Sequence, residues 1–182
     1  LISDFVDKIV ANVSCPNSKS VNDLQDITYL SEIINSIISL RHLYDDYKPI
    51  AVKLSTDIPK SQLDYILDFM LLRGVDAVVA TNAVNRKDSL KTSQSKMRKY
   101  SDWAISGAPL LDKMLYMVSY IKERTNGCLP IIATGGIDTP QKAVMALEAG
   151  ASLVQMCSAV AIQGPGIVRR TLRAVRKYRK SL

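Results

Sequence analysis

Five short apolar runs, each followed by a longer segment of helical periodicity, constrain the fold of this chain more than any other feature. The runs are Lys8–Val13, Ile50–Ser55, Ala77–Thr81, Ile131–Thr134 and Ser152–Cys157. Such short, largely apolar runs are typical of strands that are buried on both faces of a parallel sheet. The helical segments are Ile27–Tyr44, Ser61–Arg73, Leu110–Arg124, Pro140–Ala149 and Gly166–Lys180. This order predicts an α/β fold of repeated strand–helix units.

Composition predicts one globular domain. The chain has 182 residues, of which 47% are hydrophobic and 23% are charged, and it contains no low-complexity linker. No apolar run reaches the roughly 18 residues that span a bilayer. The chain begins with Leu1 and without a signal-peptide pattern, so we expect it to be part of a longer protein. The one long polar connection, Ala83–Ala108, is of a kind that is usually functional or mobile.

Charge and cysteine content bear on whether the chain binds nucleic acid, a membrane surface or a metal. Much of the net charge of +7 lies in the last segment, GIVRRTLRAVRKYRKSL, where Val168, Leu172 and Val175 fall at helical spacing. This pattern favours an amphipathic surface helix, with binding to nucleic acid or to a membrane surface as the alternative. Three cysteines in no metal-ligand spacing indicate free thiols in a reducing compartment and predict no metal site.

Polar residues follow each apolar run at the point where the run ends. The segments read NVSCPN, VKLS, ATN, ATGGI and QMCSA. Because the carboxyl ends of parallel strands form the ligand face of α/β folds, we expect these five segments to converge on one site.

Taken in order, these and neighbouring segments resemble the dihydroorotate dehydrogenase family and the related flavin barrel of dihydropyrimidine dehydrogenase. The segments that carry the resemblance are NVSCPN, AVKLS, GVDAVVATN, ISGAPL, PIIATGGIDTPQKA and EAGASLVQMCSAVAIQGP. The resemblance implies a TIM (β/α)₈ barrel that is incomplete here, with strands four to eight and their helices. Since a complete barrel takes about 250 residues, we expect residues 1–182 to form a single domain, the C-terminal part of an FMN-binding barrel.

The resemblance also implies a reaction, the FMN-dependent oxidation of dihydroorotate to orotate in de novo pyrimidine biosynthesis. The catalytic base of the family matches Cys15, and a thiolate can act as a base when its pKa is lowered. Asn12, Asn17 and Asn82 match positions that hydrogen-bond the pyrimidine, a role that suits an amide with both donor and acceptor groups. A cysteine at the base position is typical of the soluble members, and a serine is typical of the membrane-bound, quinone-linked class.

Eight further residues match positions that contact the flavin in the family. Lys53 matches a lysine beside the flavin, where a cation stabilises negative charge on the reduced ring. The pair Gly135 and Gly136 matches a phosphate loop, in which glycines allow backbone N–H groups to approach the phosphate. The full set is Lys53, Thr81, Ser106, Gly107, Gly135, Gly136, Cys157 and Ser158.

Two departures from the family pattern keep other functions open. Ala83 stands where the family usually has threonine or serine, and Trp103-Ala104 replaces the usual pair of glycines. The alternatives are a pyrimidine reductase similar to dihydropyrimidine dehydrogenase and a non-catalytic truncated paralogue. We expect a small-molecule pyrimidine substrate, no nucleic-acid partner and a cytoplasmic location, with a mitochondrial location as the alternative. The electron acceptor is left open, and a homodimer is one option for the assembly.

Overall fold

The five predicted strands form one parallel sheet in their order along the chain. The computed structural model describes residues 6–14, 27–41, 47–85, 90, 92–100 and 103–182. The strands are β1 Ile9–Asn12, β2 Ile50–Leu54, β3 Ala77–Ala80, β4 Ile131–Thr134 and β5 Leu153–Gln155. Every neighbouring pair is parallel and the sheet order is β1-β2-β3-β4-β5, so the predicted fold of adjacent β/α units is confirmed.

Helices connect the strands. They are α1 Ile27–Arg41, α2 Lys60–Leu72, α3 Gln94–Met97, α4 Leu111–Arg124, α5 Pro140–Glu148, α6 Ser158–Gln163 and α7 Gly166–Arg179. Four of the five predicted helices agree with the structure to within one residue at each end. The predicted end of the first helix lies outside the described residues. Helices α3 and α6 were not predicted, because four and six residues are too few to show a helical period.

The two faces of the sheet differ in what covers them. Alternate strand residues such as Val52, Val78 and Ala133 pack with the apolar faces of α1, α2, α4 and α5 into the main core. Each fully buried aliphatic side chain there stabilises the fold by about 1.5–3 kcal/mol. On the other face, Ala51, Val79 and Ile132 form a separate small cluster. Because side chains alternate along a strand, Lys53 shares the face of Ala51. This second face therefore carries the polar groups at the strand ends.

The last helix is amphipathic, as predicted, and one side of it is buried. Helix α7 packs against α5 and α6, and it buries Ile167 and Thr171, with Val175 partly buried. Val168 and Leu172 are 40% and 50% exposed, so only Val175 of the three apolar residues at helical spacing packs against the core. Apolar residues stand next to each other in the sequence at Ile167 and Val168, and packing against α5 and α6 determines which of them is buried. None of the helices in the described ranges has the length and apolarity needed to cross a membrane.

Candidate functional site

A cavity of about 370 Å³ lies where β2, β3, β4 and β5 end. Its volume is within the range of about 300–1,000 Å³ that is common for small-molecule sites. All eight residues matched to flavin contacts line it, as does Asn82. They are Lys53, Thr81, Asn82, Ser106, Gly107, Gly135, Gly136, Cys157 and Ser158. The structure therefore brings together residues that the sequence distributes over more than one hundred positions.

Backbone hydrogen bonds hold the segment after β3 between its neighbours. The N–H of Thr81 donates to the carbonyl oxygen of Thr134 across 2.7 Å, and the N–H of Asn82 donates to that of Leu54 across 3.0 Å. The hydroxyl of Thr81, which is buried, also donates to the Leu54 carbonyl. These bonds continue the sheet beyond its last regular pair, and they fix the point where the polar residues enter the cavity.

The loop after β4 depends on its two glycines. Gly135 and Gly136 have φ values of 115° and 75°, a region that glycine adopts readily and other residues rarely do. A Cβ atom on Gly136 would lie 2.4 Å from the backbone nitrogen of Leu111. A glycine at this position is therefore required for the loop to pack against the start of α4. That contact sets the path of the loop along the cavity wall.

A short antiparallel contact returns the long connection after β3 to the site. Val84 and Ile105 exchange backbone hydrogen bonds of 3.1 and 2.8 Å. Ser106 and Gly107 follow directly, and the hydroxyl oxygens of Ser106 and Ser158 are 3.3 Å apart. Sequence reasoning missed the Val84–Ile105 pairing, for which the only signal is an apolar residue on each side of a polar stretch.

Helix α6 supplies a further wall that was not predicted. Ile162 and Gln163 line the cavity, and the Gln163 side-chain amide donates to the Asp138 carbonyl oxygen across 2.8 Å. Arg170 of α7 donates in turn to the Gln163 side chain across 3.3 Å. The segment QMCSAV gave no periodic signal for this helix, so its contribution to the wall required the tertiary structure.

Asn12 reaches the site through a polar cluster beside the cavity. The Asn82 side-chain amide donates to the carbonyl oxygen of Ser14 across 2.7 Å and to Oδ1 of Asn12 across 3.2 Å. The Ser14 hydroxyl donates to the Lys53 carbonyl oxygen across 2.9 Å. Ser14 is 3% exposed and was not singled out from the sequence. Cys15 and Asn17 lie outside the described residues, so their roles stay predictions.

The donor groups of this cavity fit an anionic, phosphorylated ligand. Lys53 supplies an ammonium group, and Ser106 and Ser158 supply hydroxyl groups on the wall. Asp138 is the one carboxylate among the described lining residues, and it is paired with Lys142 of α5 at 2.7 Å. Helix α6 starts at Ser158, which lines the cavity, and the N–H groups of a first helical turn have no acceptor within the helix. A flavin with its phosphate is therefore compatible with the residues present.

The comparisons with known proteins point to one family. The family described as "Dihydroorotate dehydrogenase" matches residues 1–178. A "Dihydroorotate dehydrogenase (quinone)" of Salinispora arenicola is 33% identical over 175 residues, which cover 96% of this chain and 49% of that protein. One of the same name from Nostoc punctiforme is 35% identical over 176 residues, which cover 94% of this chain and 46% of that protein.

Solved structures agree with the sequence match. A ligand-free DHODH from Eimeria tenella superposes with a TM-score of 0.87 at 28% identity. The superposition covers 96% of this chain and 52% of that one. The chain thus spans about half the length of the relatives that it matches. The expectation that it carries part of a barrel of this type is confirmed.

Proposed function

The chain belongs to the dihydroorotate dehydrogenase family, and we propose that it provides the cofactor cavity of a protein that oxidises dihydroorotate to orotate with FMN. The observation that carries the proposal is the lining of the cavity. Nine residues that were selected from the sequence, on five separate segments, border one volume of about 370 Å³. The family model and the curated relatives are dihydroorotate dehydrogenases, and nothing in them favours a pyrimidine reductase.

We assign retention of the cofactor to two groups of residues. The glycine loop at Gly135 and Gly136, together with Ser106 and Ser158, would hold the phosphate through backbone N–H and hydroxyl donors. Lys53 would lie beside the ring, where its positive charge stabilises a negatively charged ligand. When bound, FMN supplies the acceptor for the hydride that leaves carbon 6 of the substrate.

The chain's own residues would manage the proton and the orientation of the substrate. Cys15, as a thiolate, would take the proton from carbon 5, so that loss of this proton and of the carbon 6 hydride forms the carbon–carbon double bond of orotate. Asn12, Asn17 and Asn82 would hold the ring, since Asn82 lines the cavity and its side chain is hydrogen-bonded to that of Asn12. Holding the ring in one pose is itself a large part of catalysis, because it replaces a rare encounter by a fixed geometry.

A quinone is the electron acceptor that the relatives suggest. The two curated relatives described above carry "(quinone)" in their names. Cys15 favours the soluble class instead, so the two arguments differ. An assay of the complete protein with a short-chain ubiquinone analogue and with a water-soluble acceptor dye would decide between them. The cytoplasmic location and the homodimer stay predictions, which cell fractionation and sedimentation would test.

The decisive experiment is a visible spectrum of the complete protein with and without dihydroorotate. We expect the purified protein to show flavin absorbance, and we expect dihydroorotate to bleach it under anaerobic conditions. Dihydrouracil, which lacks the carboxylate, is the matched control and should leave the flavin oxidised. Bleaching by dihydrouracil alone would indicate the reductase instead. Absorbance that neither compound changes would indicate a non-catalytic flavoprotein.

A further inference from the structure

A buried serine, Ser14, lies at the centre of the polar cluster beside the cavity, and the proposed reaction gives it no role. Its hydroxyl lies 2.9 Å from the carbonyl oxygen of Lys53 and 3.3 Å from Oδ1 of Asn12. A hydroxyl has one hydrogen to donate, and the shorter contact to Lys53 takes it. The side chain is 3% exposed, so the hydrogen bond replaces contacts with water that the folded chain excludes.

The backbone around Ser14 fixes which way the Asn82 amide points. The carbonyl oxygen of Ser14 lies 2.7 Å from one end of this amide, and a carbonyl oxygen can only accept. That end must therefore be the NH₂ group. The N–H of Ala83 lies 2.9 Å from the other end and can only donate, so that end must be the oxygen. Both ends are assigned by their partners independently.

The orientation of Asn82 then sets that of Asn12. The second hydrogen of the Asn82 NH₂ group has two acceptors at 3.2 Å, Oδ1 of Asn12 and the hydroxyl oxygen of Ser14. Because two NH₂ groups at this distance would repel each other, Asn12 presents its oxygen to Asn82. The NH₂ group of Asn12 is left to point elsewhere, and no described residue accepts a hydrogen bond from it. Asn82 keeps one lone pair on its oxygen after accepting from Ala83.

We propose that Ser14 is a positioning residue that holds both amides in these orientations, so that Asn12 offers donors to a ligand while Asn82 offers only an acceptor. The inference rests on the proposed function for its ligand, a pyrimidine ring. An edge of such a ring with a carbonyl next to an N–H is complementary to this arrangement, since its carbonyl meets Asn12 and its N–H meets Asn82. The site would thus reject a ring in which that N–H is methylated.

The alternative is that Ser14 only fills space and satisfies the Lys53 carbonyl. In that case its loss would lower stability while leaving the affinity and selectivity of the folded protein unchanged. Under the proposal, Ser14→Ala keeps the two backbone partners of Asn82 but removes the hydroxyl oxygen, which lies 3.2 Å from the Asn82 NH₂ group and 3.3 Å from Oδ1 of Asn12. The amide of Asn12 and the second hydrogen of Asn82 then lose a shared partner and gain freedom to turn. Ligand affinity and the ability to distinguish the methylated ring would then fall together, beyond any effect on folding.

The test is carried out on the complete, flavin-loaded protein, with orotate and N3-methylorotate as probes. We expect Ser14→Ala to raise the dissociation constant of orotate about tenfold, which corresponds to about 1.4 kcal/mol, and to lower the preference for orotate over its methylated form. Ser14→Thr keeps the hydroxyl and should recover most of the affinity. Ser36→Ala is the control, because Ser36 is an exposed helix residue that bonds only the carbonyl of Glu32 among described groups.

A second readout does not depend on the ligand. In protein labelled with ¹⁵N at asparagine, the side-chain NH₂ signals of Asn82 should shift and exchange faster in Ser14→Ala than in the parent, and Asn82→Asp assigns them. Unchanged amide signals with unchanged affinity and selectivity in a folded Ser14→Ala protein would overturn the inference. If Ser14→Ala does not fold, Ser14→Cys carries the same test, because a thiol fills the site but is a weak donor. A parent that binds no orotate while its amide signals still respond to Ser14 would refute the proposed function alone.

Discussion

The hydroxyl oxygens of Ser106 and Ser158 lie 3.3 Å apart although 52 positions separate them in the chain. Ser106 follows the Val84–Ile105 pairing, and Ser158 begins helix α6. The contact therefore joins two walls of the cavity that belong to different β/α units. Either hydroxyl can donate to the other, which leaves the second hydrogen for a ligand.

This pair should act as a unit in holding the cofactor. We expect Ser106→Ala and Ser158→Ala each to weaken FMN binding about three- to tenfold, in line with the 0.5–1.5 kcal/mol of an ordinary hydrogen bond. The double variant should lose less FMN affinity than the product of the two single losses, because the effects of substitutions at residues in contact are not additive. Equilibrium dialysis of FMN against the four proteins measures this. Fully multiplicative losses would show that the two hydroxyls act separately.

Gly136 should be far less tolerant of alanine than Gly74. Both have positive φ, so both substitutions carry the backbone cost of about 1–2 kcal/mol that an L-residue meets in this region. A Cβ on Gly136 would also overlap the backbone of Leu111, whereas one on Gly74 meets nothing within 4 Å. We expect Gly136→Ala to lower the free energy of unfolding by at least about 2 kcal/mol more than Gly74→Ala does. Urea unfolding followed by circular dichroism gives both values, and equal losses would contradict the packing argument.

Cys15→Ala should abolish turnover while sparing flavin binding. Loss of a general base typically costs about 10²–10⁴ in rate, and the residues assigned to the cofactor lie on other segments of the chain. Cys15→Ser should keep some activity and need a higher pH, because a hydroxyl is a weaker acid than a thiol. The assay is stopped-flow bleaching of the flavin by dihydroorotate across pH. Cys128→Ala, at an exposed cysteine, is the control. If Cys15→Ala bleaches as fast as the parent, the residue is structural.

The stability of the fold should fall in strongly alkaline solution through Tyr120. Its hydroxyl donates to the carboxylate of Asp64, and this bond, with burial and the charge of Asp64, raises the pKa of Tyr120 to about 12. An unfolded chain releases the same proton near its ordinary pKa of about 10. The stabilisation is therefore complete below pH 10 and is lost as the pH rises towards 12.

Tyr120→Phe should make the dependence of unfolding free energy on pH less steep between pH 10 and pH 12. The remaining slope would include Tyr47, whose pKa is raised mainly by its hydrogen bond to Asp76. Tyr65 lies on helix α2, and Tyr65→Phe, which also removes one tyrosine hydroxyl, serves as the control. Urea titrations at several pH values supply the comparison. An unchanged slope in Tyr120→Phe would show that the hydrogen bond between Tyr120 and Asp64 in the parent does not persist in solution.

The sequence by itself determined the class of fold and nine of the residues that line the cavity. Apolar runs such as Ile131–Thr134 and helical stripes such as Leu30, Ile34 and Ile38 are local patterns, and burial follows them directly. Parallel strands place their carboxyl ends on one edge of the sheet, so the polar residues that follow the apolar runs lie close together there. The specific residues came from the family resemblance, which the match over residues 1–178 supports.

Only the tertiary structure decided how the site is held together. The pairing of Val84 with Ile105, the wall formed by α6 and the cluster around Ser14 depend on contacts between segments far apart in the chain. The same holds for helix α7, where Ile167 is buried and Leu172 is exposed although both lie in apolar stripes. A periodic pattern in the sequence indicates that a helix has an apolar face, but it does not indicate which neighbouring element covers that face. Which face is covered depends on packing between segments, and packing is a property of the folded chain.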